Sequence, residues 1–84
     1  MKKYFAYVLL NTENKKIYIG QTSDIDKRID EHNLHTFAGF TSRFEGKWEL
    51  IFKESVATRS EALKREKQLK SYRGREFIKT HIRE

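Results

Sequence analysis

Three groups of residues have types and spacings that could do chemistry. Glu66 lies three residues after Leu63, four after Ala62 and three before Leu69. On a helix, that spacing sets a carboxylate inside an apolar stripe. A carboxylate aimed into a cleft can ligate a metal or act as an acid or base. The plainer reading is a tilted stripe, with Glu66 at its rim pairing with Lys70 at i+4. Tyr7 and Tyr18 sit in two neighbouring β-rich runs. If the turn between them occupies residues 11–14, Leu10 faces Lys15 and Tyr7 faces Tyr18. Any even turn length keeps the two phenols on one face, and an odd one separates them. Cross-strand aromatic packing is the plainer account of such a pair. Arg28 and His32 are spaced i, i+4, and Arg28 borders the stripe begun by Ile25. They could equally lie on a solvated helix face, with Asp24 or Glu31 nearby to pair. His35 and His81 show no metal-ligand spacing with His32 and read as surface residues.

Other chemistries fail on inspection. The chain has no Cys, which excludes a disulfide scaffold, a Cys-type zinc site and a thiol nucleophile. No Gly-rich phosphate loop, G-x-S-x-G motif or clustered carboxylate pair occurs. A chain of 84 residues makes one domain with one small core. Six Phe, four Tyr and one Trp can build that core, which argues against disorder. No apolar run approaches the roughly 18 residues of a membrane span. Met1-Lys2-Lys3 is followed by no small-residue cleavage site, so a cytoplasmic protein is expected. Net charge is +6, which favours a polyanionic partner such as nucleic acid or a membrane surface. The basic clusters Lys64-Arg65-Lys67-Lys70 and Arg73-Arg75 suit a solvated helix or phosphate contacts.

Elements must position these residues. Residues 4–10, YFAYVLL, read as a strand buried on both faces. The polar stretch 11–15 is a turn, and 16–20, KIYIG, is a second strand, giving an antiparallel hairpin. Ser23 suits an N-cap, with Asp24 and Asp26 in the first turn of a helix over 24–33. Ile25 and Ile29 would face the core. Residues 34–47 read as a loop, and 48–54, WELIFKE, as a third strand. Thr58 and Glu61 form a capping-box pattern. The helix after it should turn Ala62, Leu63, Leu69 and Tyr72 to the core and stop at Gly74. Residues 75–82 would form a short last helix on Phe77, Ile78 and Ile82. The order β-β-α-β-α-α defines an α+β domain, a small antiparallel sheet flanked by helices.

In this order the residues resemble the GIY-YIG nuclease superfamily, specifically its small single-domain bacterial members. Tyr18-Ile19-Gly20 is the second half-motif. Phe5-Ala6-Tyr7 stands where Gly-Ile-Tyr is usual, with the tyrosine kept. Gln21-Thr22-Ser23-Asp24-Ile25, then Arg28 and His32-Asn33, is similar to the run that follows the second half-motif. Phe40-Thr41 resembles the family's aromatic-Thr pair, and Trp48-Glu49-Leu50-Ile51 its third strand. Residues 62–70, from Ala62 through Glu66 to Lys70, resemble its A-x-x-x-E-x-x-x-K helix. The likeness spans about residues 4–79. An Asn that larger members carry after the metal-binding Glu has no counterpart in residues 75–84.

The resemblance implies metal-dependent hydrolysis of DNA phosphodiesters, leaving 5′-phosphate and 3′-hydroxyl ends. Glu66 would hold one Mg²⁺ or Mn²⁺. Tyr7 would be the general base, helped by Arg28 and the metal, with His32 an alternative proton acceptor. Tyr18 and His32 would hydrogen-bond the nucleophile or a phosphate oxygen, and Arg28 would grip the pentavalent transition state. Gly20, Thr41, Arg43 and Lys70 are further candidates for nucleic-acid contact. Gly20 would let the backbone approach the substrate or the neighbouring helix closely. Phe37, Phe40 and Phe44 could stack unpaired bases or cover the core. With one active site, a monomer or weak dimer would favour single strands, flaps or nicks. The rival readings are a nucleic-acid-binding module that does not cut, and a subunit of a larger repair or mobile-element complex.

Overall fold

The computed structural model describes residues 3–34 and 46–82. Strands β1 (Tyr4–Asn11), β2 (Ile17–Thr22) and β3 (Trp48–Val56) form one antiparallel sheet in the order β2-β1-β3. Helices α1 (Ile25–Asn33), α2 (Arg59–Leu69) and α3 (Tyr72–Lys79) complete the expected β-β-α-β-α-α order.

The unbroken apolar run places β1 in the middle, where both faces are covered. Ala6 and Val8 point to one face and pack with Leu69 of α2 and Ile78 of α3. Tyr7 and Leu9 point to the other and pack with Ile25 of α1 and Trp48 of β3. The sheet thus separates two small cores. Phe5 and Ala6 depart from the usual half-motif without disturbing Tyr7. Ala6 faces the α2/α3 core, and Phe5 is half-buried beneath Lys53, whose Nζ lies 5.9 Å from the ring centre.

The hairpin loop runs from residue 12 to 15. The Asn11 N–H donates to the Lys16 carbonyl at 2.8 Å. The buried Asn11 Oδ1 accepts from Glu13 N at 2.9 Å and Asn14 N at 3.2 Å, which shapes the turn. Lys15 closes it in the left-handed region, at φ 64°, at a cost of about 1 kcal/mol for a residue with a Cβ. The even loop keeps Tyr7 and Tyr18 on one face, but their register differs from the expected one by two residues. Tyr18 faces Leu9, and Gly20 faces Tyr7. The phenols are therefore diagonal neighbours rather than directly opposite.

The helices start where their caps dictate. Asp24, not Ser23, caps α1, with its side chain accepting from Lys27 N at 3.1 Å. The buried Thr22 holds that start, its Oγ1 accepting from Asp24 N at 3.1 Å. Thr58 caps α2 as the capping-box pattern predicts. Gly74 does not end that helix. The chain turns at Lys70-Ser71, Ser71 caps α3, and Gly74 lies in the first turn of α3. A Cβ at Gly74 would overlap the Gln68 carbonyl and Leu69 backbone, so the glycine admits the end of α2. Leu63 and Tyr72, expected in the core, are turned outward, 48% and 79% exposed, while Ala62 and Leu69 reach the core.

Candidate active site

Three rings from three elements meet on the α1 side of the sheet. Tyr7 comes from β1, Tyr18 from β2 and His32 from the last turn of α1. The Tyr7 hydroxyl and His32 Nε2 are hydrogen-bonded at 3.0 Å, and both side chains are fully buried. The Tyr18 ring lies 4.8 Å from the His32 ring and 6.1 Å from that of Tyr7. Gly20 makes this meeting possible. It faces Tyr7 across the sheet, and a Cβ there would stand 2.8 Å from both the Tyr7 hydroxyl and Tyr18 Cε2. Its role in the fold is to leave room for the phenols.

Asn33 fixes the helix end that carries His32. Its Nδ2 donates to the Trp48 carbonyl at 3.1 Å, and the Trp48 N–H donates to its Oδ1 at 2.8 Å. The amide side chain thus acts as a short strand partner at the start of β3. Sequence reasoning missed this positioning role. The signal was an Asn beside His32 at a helix end, next to a strand that opens with Trp.

Charged groups frame the rings. Arg28 lies one turn before His32 and pairs with Glu31 at 3.2 Å. Both line a polar depression of about 420 Å³ with Thr22, Ser23, Asp24 and Lys27. Glu66 pairs with Lys70 at 2.8 Å, so the rim pairing expected of a tilted stripe is present. The Glu66 charge also acts on the cluster, raising both the Tyr7 and Tyr18 phenols. Thr41 and Arg43, like Phe37, Phe40 and Phe44, lie outside the described residues.

The electrostatics favour neutral rings. Burial raises the Tyr7 phenol most, followed by Tyr18. Arg28 opposes them and Glu66 reinforces them. The net shift is upward, so Arg28 alone does not make Tyr7 a phenolate. Burial and then Glu66 raise Tyr18, against Lys70 and Arg28. Burial, with the Arg28 charge behind it, pushes the His32 imidazole down to about 4. At neutral pH His32 is therefore an uncharged base touching a protonated phenol.

No group of three or more His, Cys, Asp or Glu side chains gathers to hold a metal among the described residues. Glu66 is the carboxylate that acts on both phenols. One such ligand fits Mg²⁺, which keeps several waters and takes one or two carboxylates with substrate phosphate.

The small antiparallel sheet thus brings two tyrosines and a histidine together, within reach of the charges of an arginine and a glutamate. The model of the GIY-YIG catalytic domain matches residues 3–79, and the chain belongs to this family. It is 33% identical over 79 residues to a UPF0213 protein of Staphylococcus epidermidis, covering 94% of each chain. It is 35% identical over 72 residues to a UPF0213 protein of Haloquadratum walsbyi, covering 86% of this chain and 80% of that one. The solution NMR structure of a UPF0213 protein from Bacillus halodurans is similar in fold, with a TM-score of 0.53 and 28% identity. That likeness covers 93% of this chain and 83% of the other. GIY-YIG domains define a nuclease superfamily that generally uses divalent metals, with DNA as the substrate. Among the described residues, no helix is long and apolar enough to cross a membrane.

Proposed function

We propose that the chain is a metal-dependent endonuclease that cuts DNA one strand at a time, leaving 5′-phosphate and 3′-hydroxyl ends. The observation that carries this reading is the buried Tyr7–His32 hydrogen bond, set beside Tyr18, with the charges of Arg28 and Glu66 acting on Tyr7 in opposite senses. Glu66 would hold Mg²⁺ or Mn²⁺. When bound, the ion supplies positive charge at the scissile phosphate and the leaving 3′ oxygen. Lys70 sits on that carboxylate but is half-exposed, and it can turn to a DNA phosphate instead.

Tyr7 and His32 divide the proton work. His32 Nε2, neutral at physiological pH, takes the Tyr7 hydroxyl proton as the phenol oxygen takes one from the attacking water. No free phenolate accumulates in this order, which suits a phenol raised by burial. Tyr18 hydrogen-bonds the nucleophile or a phosphate oxygen. Arg28 grips the equatorial oxygens of the transition state with its planar fork. Thr41 and Arg43 would contact the DNA backbone. One site per chain favours single strands, flaps or nicks, cut by a monomer or weak dimer. The setting would be the cytoplasm, alone or with a larger repair or mobile-element partner.

The test compares wild type with Glu66→Ala on end-labelled single-stranded, duplex and flap DNA, with Mg²⁺, with Mn²⁺ and with EDTA. Metal-dependent cleavage by wild type alone is expected. Cleavage retained by Glu66→Ala sinks the metal assignment. No cleavage by either, with salt-sensitive binding by both, replaces the nuclease reading with a non-catalytic binding module.

A further inference from the structure

On the face of β2 opposite Tyr18, a second groove lies outside the ring cluster. Its floor is apolar: Ile17, Ile19 and the buried Ile78 of α3. Its rim is basic: Lys15, Lys16, Arg75 and Lys79. Its volume is about 360 Å³, within the range of small-ligand sites, about 300–1,000 Å³. Arg75 is held in place by its Nε, which donates to the Lys70 carbonyl at 3.3 Å. Glu76, next to Arg75 in the chain, pairs with Lys79 at 3.0 Å, and both are well exposed. Such a surface pair is weak and gives way to a phosphate at little cost.

We propose that this groove binds an unpaired stretch of the DNA strand that the ring cluster cuts. Charge complementarity selects the partner. Four cations ring the groove of a chain whose net charge is +6, and among the described residues no carboxylate lines it. The apolar floor selects the strand's state. Ile17 and Ile19, both half-buried over the buried Ile78, offer an apolar surface to a base face, which a duplex keeps stacked and hidden. Topology supplies the route. β2 is an edge strand, and Ile17 and Ile19 alternate with Tyr18 along it. A strand lying in the groove reaches the cluster by passing around that edge. The path is comparable to the ~10 Å spacing of packed layers, or about three nucleotides at ~3.4 Å each. A single strand bends over that distance, whereas duplex DNA, stiff over about 150 base pairs, does not.

Lys15 adds an independent observation. It holds φ 64°, where glycine or asparagine would sit without strain, yet it places an ammonium on the rim. Strain kept at such a position points to use.

This proposal rests on the nuclease reading for its substrate, but its test does not. Binding is measured in EDTA by fluorescence anisotropy, with a labelled thymidine oligonucleotide, its abasic counterpart and a duplex. The proteins are wild type and Lys15→Gly/Lys79→Gln. The variant should keep its melting temperature, because glycine relieves the turn and Lys79 is exposed. Its single-strand affinity should fall about tenfold at low salt. Its salt slope should be shallower by about 1.4, or ~0.7 for each phosphate no longer neutralised. Duplex affinity should change little, and wild type should bind the thymidine strand more tightly than the abasic one. Unchanged single-strand affinity and slope overturn the proposal, as does an equal weakening on duplex. Equal binding of abasic and thymidine strands overturns the role of the isoleucine floor. Failure of the nuclease reading would appear separately, as wild type that binds but does not cut with metal.

Discussion

Replacing His32 with glutamine should flatten the acid limb of the stability curve. Burial and Arg28 lower the imidazole from 6.5 to about 4 in the folded chain. The unfolded chain therefore takes up this proton below pH 6.5, while the folded chain refuses it until about pH 4. Stability linked to His32 is complete above pH 6.5 and is lost as pH falls through that window. Across the whole window, from 6.5 down to about 4, this amounts to about 3 kcal/mol. By pH 5 about 2 kcal/mol of it is gone. Among the described residues, Tyr7, Tyr18 and Arg28 act on the ring, and neither tyrosine ionises in this range.

The assay is urea unfolding of wild type and His32→Gln at pH 7 and pH 5. Carboxylates shift both proteins alike, so the difference between the two isolates His32. The wild-type midpoint should fall by about 1 to 2 M more than that of the variant, for a urea slope of ~1–2 kcal/mol/M. NMR gives a direct reading. The histidine ring resonance that disappears in His32→Gln should titrate near 4. Parallel unfolding curves, or a resonance that titrates near 6.5, would refute both the burial argument and His32 as a neutral proton acceptor.

Two other substitutions test how the rings are placed. Gly20→Ala puts a Cβ 2.8 Å from the Tyr7 hydroxyl and Tyr18 Cε2. It should cost about 1–3 kcal/mol by overpacking. It should also cut the proposed activity well beyond what a thermal melt would explain, and wild-type activity with wild-type stability would show that the phenols need no such clearance. Asn33→Ala removes both hydrogen bonds to the Trp48 backbone. It should cost about 1–3 kcal/mol in unfolding experiments, and the His32 resonance should move if Asn33 holds that helix end.

Order and type of the elements were legible because each carries its own signal. β1 is an unbroken apolar run, α2 opens with a capping box, and the rest follow from period and turn residues. The meeting of Tyr7 and Tyr18 on one face was legible because an even turn requires it, and the candidate residues stood out because their types break the local pattern. The register was not. It depends on how many residues Asn11 gathers into its turn, and Asn11 bonds both Glu13 and Asn14. The end of α2 was misplaced for a related reason. Gly74 reads as a stop, but its missing side chain serves packing against Gln68 and Leu69 rather than a left-handed cap. Tyr72 opens α3 and points outward, and Leu63, next to the buried Ala62, falls on the outer side of α2. Asn33 was missed as a clamp because its partner lies 15 residues away, although its place at a helix end beside His32 was a signal.

The signs of the interactions constrain how such a cluster could be switched on. Arg28 lowers both phenols, yet burial overrides it, so a single arginine does not supply a base. Arg28 also lowers His32, which keeps that ring neutral and ready to accept a proton. One guanidinium thus favours ionising the phenols and disfavours ionising the imidazole. Glu66 acts in the opposite sense on Tyr7 and Tyr18, raising both. Lys70, paired with that carboxylate, already lowers Tyr18. Cancelling the Glu66 charge would therefore ease both phenols together without touching the buried rings. In the proposed reaction, a carboxylate placed this way would couple the arrival of positive charge to proton transfer through Tyr7 and His32, even though it stands outside the hydrogen bond that joins them.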